Sequence, residues 1–304
     1  MENQLCRLIV GDALTELRKL PTGSLQCCIT SPPYWQLRDY EVDGQIGLEA
    51  TPEEYVMKLC EVFAEVRRVL RDDGTLWLNM GDTYASQVPA IRSNHENGKR
   101  RTAISIGSAG KLKEKDLAGI PWRLALALQA QGWYLRSDII WAKPNALPES
   151  VKDRPTKAHE YLFLLSKSKR YYYDADAIRE PCQPNSLRKQ VAPWKGRRWF
   201  GTPDRAEQSL RPDQNCHPLG RNKRTIWTIP IKGYKGQHFA TFPEALVEPC
   251  VLAGCPKDGL VLDPFAGAGT TLLVARLLGR QAVGIELKQS YAKMAVERLR
   301  SEEA

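Results

Sequence analysis

The sequence predicts an α/β protein, a doubly wound and mostly parallel sheet with helices on both faces. Three observations carry this. Short apolar runs alternate with amphipathic stretches at both ends of the chain, as parallel strands joined by crossover helices require. One run stops at the double proline of Thr30-Ser31-Pro32-Pro33-Tyr34-Trp35, where neither proline has an N–H to continue a ladder. Another enters the glycine-rich turn Asp263-Pro264-Phe265-Ala266-Gly267-Ala268-Gly269, and an acid, Glu286, closes the strand after it. That is the pattern by which open sheets hold a nucleoside.

The elements follow in order. A strand over 5–10 ends at Gly11-Asp12. Leu14, Leu17 and Leu20 give a short helix that Pro21 stops. Residues 25–30 form a buried strand and 36–50 a loop. Thr51-Pro52-Glu53-Glu54 starts a helix: a hydroxyl cap, proline at the first position and acids in the first turn. Its apolar face runs from Val56 to Leu70, and Asp72-Asp73-Gly74 ends it. A strand over 75–80 comes next. Residues 85–115 are polar and aperiodic, hence a long loop. A helix covers 116–131, strands cover 133–141 and 159–166, and 171–173 adds a short one. Residues 181–237 read as irregular. The last part returns to order: helix 243–252, strand 259–262, helix 270–278, strand 282–285 and helix 288–301.

Composition limits the class. The chain has 304 residues, 42% hydrophobic and 26% charged, ordinary for a globular protein with a sizeable core. No run approaches the ~18 apolar residues of a membrane span, and Met1-Glu2-Asn3-Gln4 does not open a signal peptide; a cytoplasmic protein is expected. The eight cysteines lack zinc-type spacing, so reduced thiols and no metal are expected. The net charge of +9 is concentrated: residues 181–240 carry twelve Lys/Arg against three Asp/Glu, an excess equal to that of the whole chain. A localised basic region suits a polyanion.

The two turns carry the chemistry. Around Ser31 a small hydroxyl, carbonyl acceptors and two aromatics make a wall that can accept hydrogen bonds from an amino group and stack a flat ring. At 263–286 the glycines let backbone approach a ligand and Glu286 can accept from ribose hydroxyls. The glycine pattern departs from G-x-G-x-x-G, which favours a nucleoside without phosphate.

Together, Thr-Ser-Pro-Pro-Tyr-Trp and Asp-Pro-Phe-Ala-Gly-Ala-Gly-Thr-Thr resemble the DNA amino-methyltransferases. The order, with the catalytic motif first, the basic insertion central and the cofactor motif last, is similar to the beta class, and Ser31 to its cytosine-N4 members. The resemblance implies a circularly permuted, seven-stranded Rossmann-like methyltransferase sheet. It implies a catalytic half over 1–180 (with the basic loop 85–115), a target-recognition region over 181–237 and a cofactor half over 238–304. The cofactor would be S-adenosylmethionine, held by Asp12, Thr30, Asp263, Phe265, Gly267, Gly269, Thr270 and Glu286 with His238 and Phe239. Ser31 and the Pro32 carbonyl would accept from the target amine, Pro33 would stiffen the turn, and Tyr34 would stack on a flipped base. Trp35 would line the pocket. Lys143-Pro144-Asn145 and His159-Glu160-Tyr161 match as framework without assigned chemistry. Lys195, Arg197, Arg198, Arg221, Lys223 and Arg224 would bind DNA, interleaved with Trp194, Trp199, Phe200 and Trp227. The partner implied is double-stranded DNA, with a companion restriction endonuclease and a homodimer admitted. Three rivals stay open: adenine-N6 methylation, where members more often carry Asp at the position of Ser31; an RNA methyltransferase; and a DNA-binding module without activity.

Overall fold

The computed structural model describes residues 6–86, 99–100, 104–105, 112–182, 217–231 and 242–301. Their elements are β1 (Cys6–Val10), α1 (Ala13–Arg18), β2 (Leu25–Thr30), β3 (Arg38–Asp39), α2 (Pro52–Val69), β4 (Leu70–Met80) and β5 (Ala85–Ser86). Then come β6 (Lys99–Arg100), β7 (Ile104–Ser105), α3 (Ile120–Ala130), β8 (Tyr134–Ala142), β9 (His159–Ser166) and β10 (Ile226–Thr228). The chain closes with α4 (Glu244–Gly254), β11 (Leu260–Asp263), α5 (Thr270–Leu277), β12 (Gln281–Glu286) and α6 (Gln289–Ser301).

Among the described residues, eight strands form one sheet in the order β1-β12-β11-β2-β4-β9-β8-β10. β1, β12, β11, β2 and β4 pair in parallel, while β9 runs antiparallel to both β4 and β8. The sheet has one strand more than the expected seven. β10 pairs in parallel with the outer edge of β8, and three residues are too few to show any periodicity. Its middle residue, Trp227, is buried near Trp77 rather than offered to nucleic acid, with ring centroids 6.4 Å apart.

Several boundaries moved for identifiable reasons. α2 begins with the expected cap: Thr51 Oγ1 accepts from the Glu54 N–H at 3.2 Å, and Glu54 returns the bond to the Thr51 N–H. It ends early, because Leu70 is already extended. The turn expected at Asp72-Asp73-Gly74 is instead a bulge inside β4, where Leu70 pairs with Leu25 but Thr75 with Cys27. α3 starts four residues late. The side chain of Asp116 accepts from the Lys113 N–H at 2.9 Å, and Asp82 takes the Ile120 N–H at 3.0 Å in place of a local cap. No strand forms at 171–173.

By its internal contacts the chain forms two units: Met1–Tyr173 with Thr225–Ala304, and Asp174–Arg224. In the first, α2 presses Tyr55, Leu59, Phe63 and Val66 onto the sheet, where Leu76, Leu78 and Phe163 are likewise fully buried. In the second, the Glu180 and Arg221 backbones exchange hydrogen bonds at 2.9 and 2.8 Å. Cys6, Cys27, Cys28, Cys60, Cys250 and Cys255 are reduced thiols. Cys182 is disulfide-bonded, against the expectation of reduced cysteines throughout.

Candidate active site

The carboxyl ends of β1, β2, β11 and β12 open into a cavity of about 970 Å³ in the first unit. Ligands of open α/β sheets bind at such an edge. β2 and β11 are parallel neighbours, so residues more than two hundred positions apart in sequence meet there. Thr30 Oγ1 donates to Asp263 Oδ1 at 2.7 Å, and Thr271 Oγ1 donates to Asp263 Oδ2 at 2.7 Å. The Phe265 N–H adds a third bond at 3.1 Å. Asp263 is 1% exposed, and burial pushes its carboxyl up to about 6 despite these donors. Its charge is therefore spent on holding the turn in shape.

Glu286 is the second acid of this edge. Its Oε2 accepts from the Gly267 N–H and its Oε1 from the Lys288 N–H, both at 2.8 Å. Burial raises its pKa. A carboxylate has about four acceptor sites, so each oxygen keeps capacity for a hydroxyl. Gly267 sits at φ 53°, the left-handed region that glycine enters without strain. Asp12 caps α1, its Oδ1 accepting from the Thr15 N–H at 2.9 Å and the Thr15 hydroxyl at 2.8 Å. Asp12, Asp263, Phe265, Gly267, Thr270 and Glu286 all line the cavity. Thr30 and Gly269 do not: Thr30 is fully buried beneath Asp263, and Gly269 lets α6 approach, since a Cβ there would lie 3.0 Å from the Ala295 Cβ. His238 and Phe239 fall outside the described residues.

The Ser31–Tyr34 turn forms the adjoining wall. The Tyr55 hydroxyl donates to the Pro33 carbonyl at 2.7 Å and pins the turn from α2. Among the described residues no hydrogen bond reaches the Pro32 carbonyl. The Tyr34 ring lies against Gly81, where a Cβ would come within 2.5 Å of it. Its hydroxyl is 2.6 Å from Glu160 Oε2 and 3.1 Å from Asn79 Oδ1, and Ser31 Oγ donates to it at 3.3 Å. Burial and the neighbouring Glu160 hold the phenol well above its usual pKa. Lys143 forms an ion pair with Glu160 Oε1, and its ammonium lies 4.3 Å from the centre of the Trp141 ring. Trp35 turns the other way. It is 1% exposed in the core with its indole N–H on the Glu49 carbonyl at 2.9 Å, so it is not a pocket wall.

Sequence reasoning assigned no chemistry to Lys143 and Glu160, which reach the cavity from the ends of β8 and β9. It missed Asn79 outright. It also missed Tyr40, Lys288 and Tyr291 on the cofactor-side wall: the Tyr40 and Tyr291 rings meet edge to face at 6.1 Å, and Lys288 Nζ donates to the Tyr40 carbonyl at 3.1 Å. Tyr40 lies in an aperiodic loop, and nothing local marks it. Lys288 stands two residues past the strand-ending acid, which was the one available signal.

Of the expected DNA contacts, Lys195, Arg197 and Arg198 lie outside the described residues, as do Trp194, Trp199 and Phe200. In the second unit Arg221 and Lys223 are paired with Glu180 at 3.2 and 3.7 Å. Arg224 is exposed.

A strand-end acid beside a glycine turn, sharing one cavity with a Ser-Pro-Pro-Tyr wall, defines a methyltransferase of the amino-group type. The family model for N6/N4 DNA methylases matches residues 25–297, and the chain belongs to that family. It is 47% identical over 297 residues to the Type II methyltransferase M.Cfr9I of Citrobacter freundii, covering 97% of this chain and 88% of that protein. Its fold is similar to the cytosine-N4-specific PvuII DNA methyltransferase, with a TM-score of 0.64 and 20% identity over 97% of this chain and 86% of that one. It is also similar to TTHA0409 of Thermus thermophilus, solved in complex with S-adenosyl-L-methionine, with a TM-score of 0.59 and 26% identity over 98% and 94% of the two chains.

Proposed function

We propose that this chain is a Type II DNA methyltransferase that moves a methyl group from S-adenosylmethionine to the exocyclic N4 amine of a cytosine flipped out of duplex DNA. The observation that carries it is the shared cavity: the Ser31-Pro32 acceptors and the Glu286 acid open into one space large enough for a nucleoside and a base. The protein's own residues fit the cofactor. Glu286 retains acceptor capacity for ribose hydroxyls, Gly267 brings backbone close, and Phe265, Tyr40 and Tyr291 offer apolar surface to a flat ring. Asp263 acts through the turn it organises, with Thr30 and Thr271 fixing its carboxylate. Asp12 reaches the same space from β1, and His238 and Phe239 belong to the segment preceding α4.

Bound S-adenosylmethionine supplies an electrophilic methyl group on a sulfonium. The rest of the chemistry is the chain's. An exocyclic amine conjugated into its ring is a poor nucleophile, because its lone pair is delocalised. Acceptors on its two N–H bonds favour a more tetrahedral nitrogen and return that pair to the attacking direction. Ser31 Oγ is one acceptor. The Pro32 carbonyl is the other, while its neighbour on Pro33 is held by Tyr55. Tyr34, fixed by Glu160 and Asn79, offers its ring to replace the stacking lost on flipping. Holding both reactants in one cavity supplies much of the rate. Among the described residues no cysteine lines this cavity, and burial keeps the Cys27 and Cys28 thiols of β2 protonated.

Ser31, a neutral hydroxyl rather than a carboxylate, favours cytosine over adenine. Double-stranded DNA is the partner. The basic segment containing Lys195, Arg197, Arg198, Arg221, Lys223 and Arg224 neutralises its phosphates. Nucleoside analysis of DNA methylated by the purified protein tests the base. N4-methylcytosine is expected, and N6-methyladenine as the sole product would overturn the cytosine reading.

A further inference from the structure

The amine that attacks the methyl group must lose a proton, and the cavity holds a route for it. Ser31 Oγ donates to the Tyr34 hydroxyl at 3.3 Å, and Tyr34 donates to Glu160 Oε2 at 2.6 Å. Both bonds point the same way, from the expected position of the target amine toward a carboxylate. Two other groups fix that direction. The Asn79 side-chain N–H donates to the Tyr161 carbonyl at 3.1 Å, so its oxygen is the atom turned to Tyr34. An amide oxygen does not take up a proton at neutral pH, so among the described residues Glu160 is the only group touching Tyr34 that can. Lys143 pairs with the other oxygen of Glu160 and compensates its charge in a largely desolvated place.

We propose that Glu160 is the terminal acceptor of a proton relay running from the target amine through Ser31 and Tyr34, with Lys143 positioning its carboxylate. This rests on the amino-methyltransferase reading above. As the nitrogen–methyl bond forms, the methyl–sulfur bond breaks and sulfur keeps the electron pair, becoming a neutral thioether. One N–H bond of the amine breaks and leaves its pair on nitrogen. Its proton passes to Ser31 Oγ, the Ser31 proton to the Tyr34 oxygen, and the Tyr34 proton to Glu160 Oε2. The proton leaves with the carboxylic acid form and exchanges to solvent after product release. Tyr34 is thereby given two functions, its ring for the base and its hydroxyl for the proton.

The test is steady-state transfer of labelled methyl from S-adenosylmethionine to unmethylated duplex DNA by the wild type, Glu160→Gln, Tyr34→Phe and the double variant. Cofactor binding is measured by calorimetry alongside. Each single substitution removes a relay atom and keeps the side-chain shape. The kcat is expected to fall ~100-fold or more in each, the usual scale for lost acid–base assistance, with cofactor affinity and the KM for DNA within about 2-fold of wild type by the same argument. The double variant is expected to be no slower than the slower single, because a chain is broken once wherever it is cut. Multiplicative losses, a rise in KM without a fall in kcat, or a Glu160→Gln enzyme with unchanged kcat would each overturn the relay. Product identity separates this from the base assignment: adenine as the methylated base would sink the cytosine reading and leave the relay standing, since that amine also carries two protons.

Discussion

Replacing Asp263 by Asn tests what the buried acid at the end of β11 does. Its carboxyl is held at about 6, raised from 3.8 by burial and lowered again only in part by three donors. An acid whose pKa is higher in the folded state binds its proton more tightly there. The stability this confers is fully present below about pH 4 and is lost as pH rises through about 6. At about 1.36 kcal/mol per pKa unit, the carboxylate costs the folded protein about 3 kcal/mol at pH 8 relative to pH 4. Asn would be neutral throughout and can still be satisfied. Its carbonyl can accept from Thr30 and the Phe265 N–H. Its amide can donate to Thr271 Oγ1, which already lies 3.3 Å from the Ile29 carbonyl and can turn its proton there. Asp263→Asn should therefore match wild type near pH 4 and exceed it by up to about 3 kcal/mol at pH 8, or about 6 °C in Tm at roughly 2 °C per kcal/mol for a chain of this length. Urea and thermal unfolding followed by tryptophan fluorescence at pH 4, 6 and 8 would read this. A variant less stable at every pH, or a difference that does not change with pH, would refute the reasoning.

Further outcomes rest on single contacts. Gly254→Ala should lose about 1–3 kcal/mol by overpacking, since its Cβ would lie 2.5 Å from Trp77 Nε1 and 2.9 Å from Cys27 Sγ; chemical denaturation measures it. Gly81→Ala should push the Tyr34 ring aside and cut methyl transfer far more than it lowers Tm, read by labelled-methyl incorporation beside a melting curve. Tyr55→Phe, which leaves the Pro33 carbonyl without its donor, should cost about 1–2 kcal/mol in the same unfolding assay. Glu180→Gln releases Arg221 and Lys223 from their carboxylate; DNA affinity should rise at low salt, and Arg221→Ala should lower the salt slope of binding by about one. Unchanged affinity and slope in a filter-binding titration would remove both side chains from the DNA contact.

How much of this was legible depended on the kind of signal. The sheet was, because β2, β9, β11, β12 and the second half of β4 each centre on a short apolar run. The two motifs were as well, since Pro-Pro and Gly-x-Gly impose backbone shapes that need no tertiary context. β10 was not, being three residues long and defined only by its pairing with β8. The bulge in β4 was read as a helix terminus, because Asp-Asp-Gly marks a turn in either setting. Lys143 and Glu160 were visible as a pattern and silent as chemistry. Their pairing across the adjacent strands β8 and β9, and the bond from Tyr34 to Glu160, exist only once those strands lie side by side.

The order of motifs along the chain explains why the site holds together. Placing the catalytic turn first and the cofactor turn last would separate them in a linear molecule. In the sheet β2 sits between β11 and β4, parallel to both, so the two turns leave the same edge from neighbouring strands. Thr30, the last residue of β2, then donates to Asp263, the last residue of β11. That single bond ties the residue before Ser31 to the strand end from which Gly267 and the Glu286 contact are built. A shift of either strand by one residue would break it and turn every side chain of that strand to the opposite face. The register of two adjacent strands thus sets the position of the acceptor wall relative to the nucleoside acid. The side chain at 263 must therefore accept from Thr30 to hold that position, and the buried acid does so at a cost in stability above about pH 6.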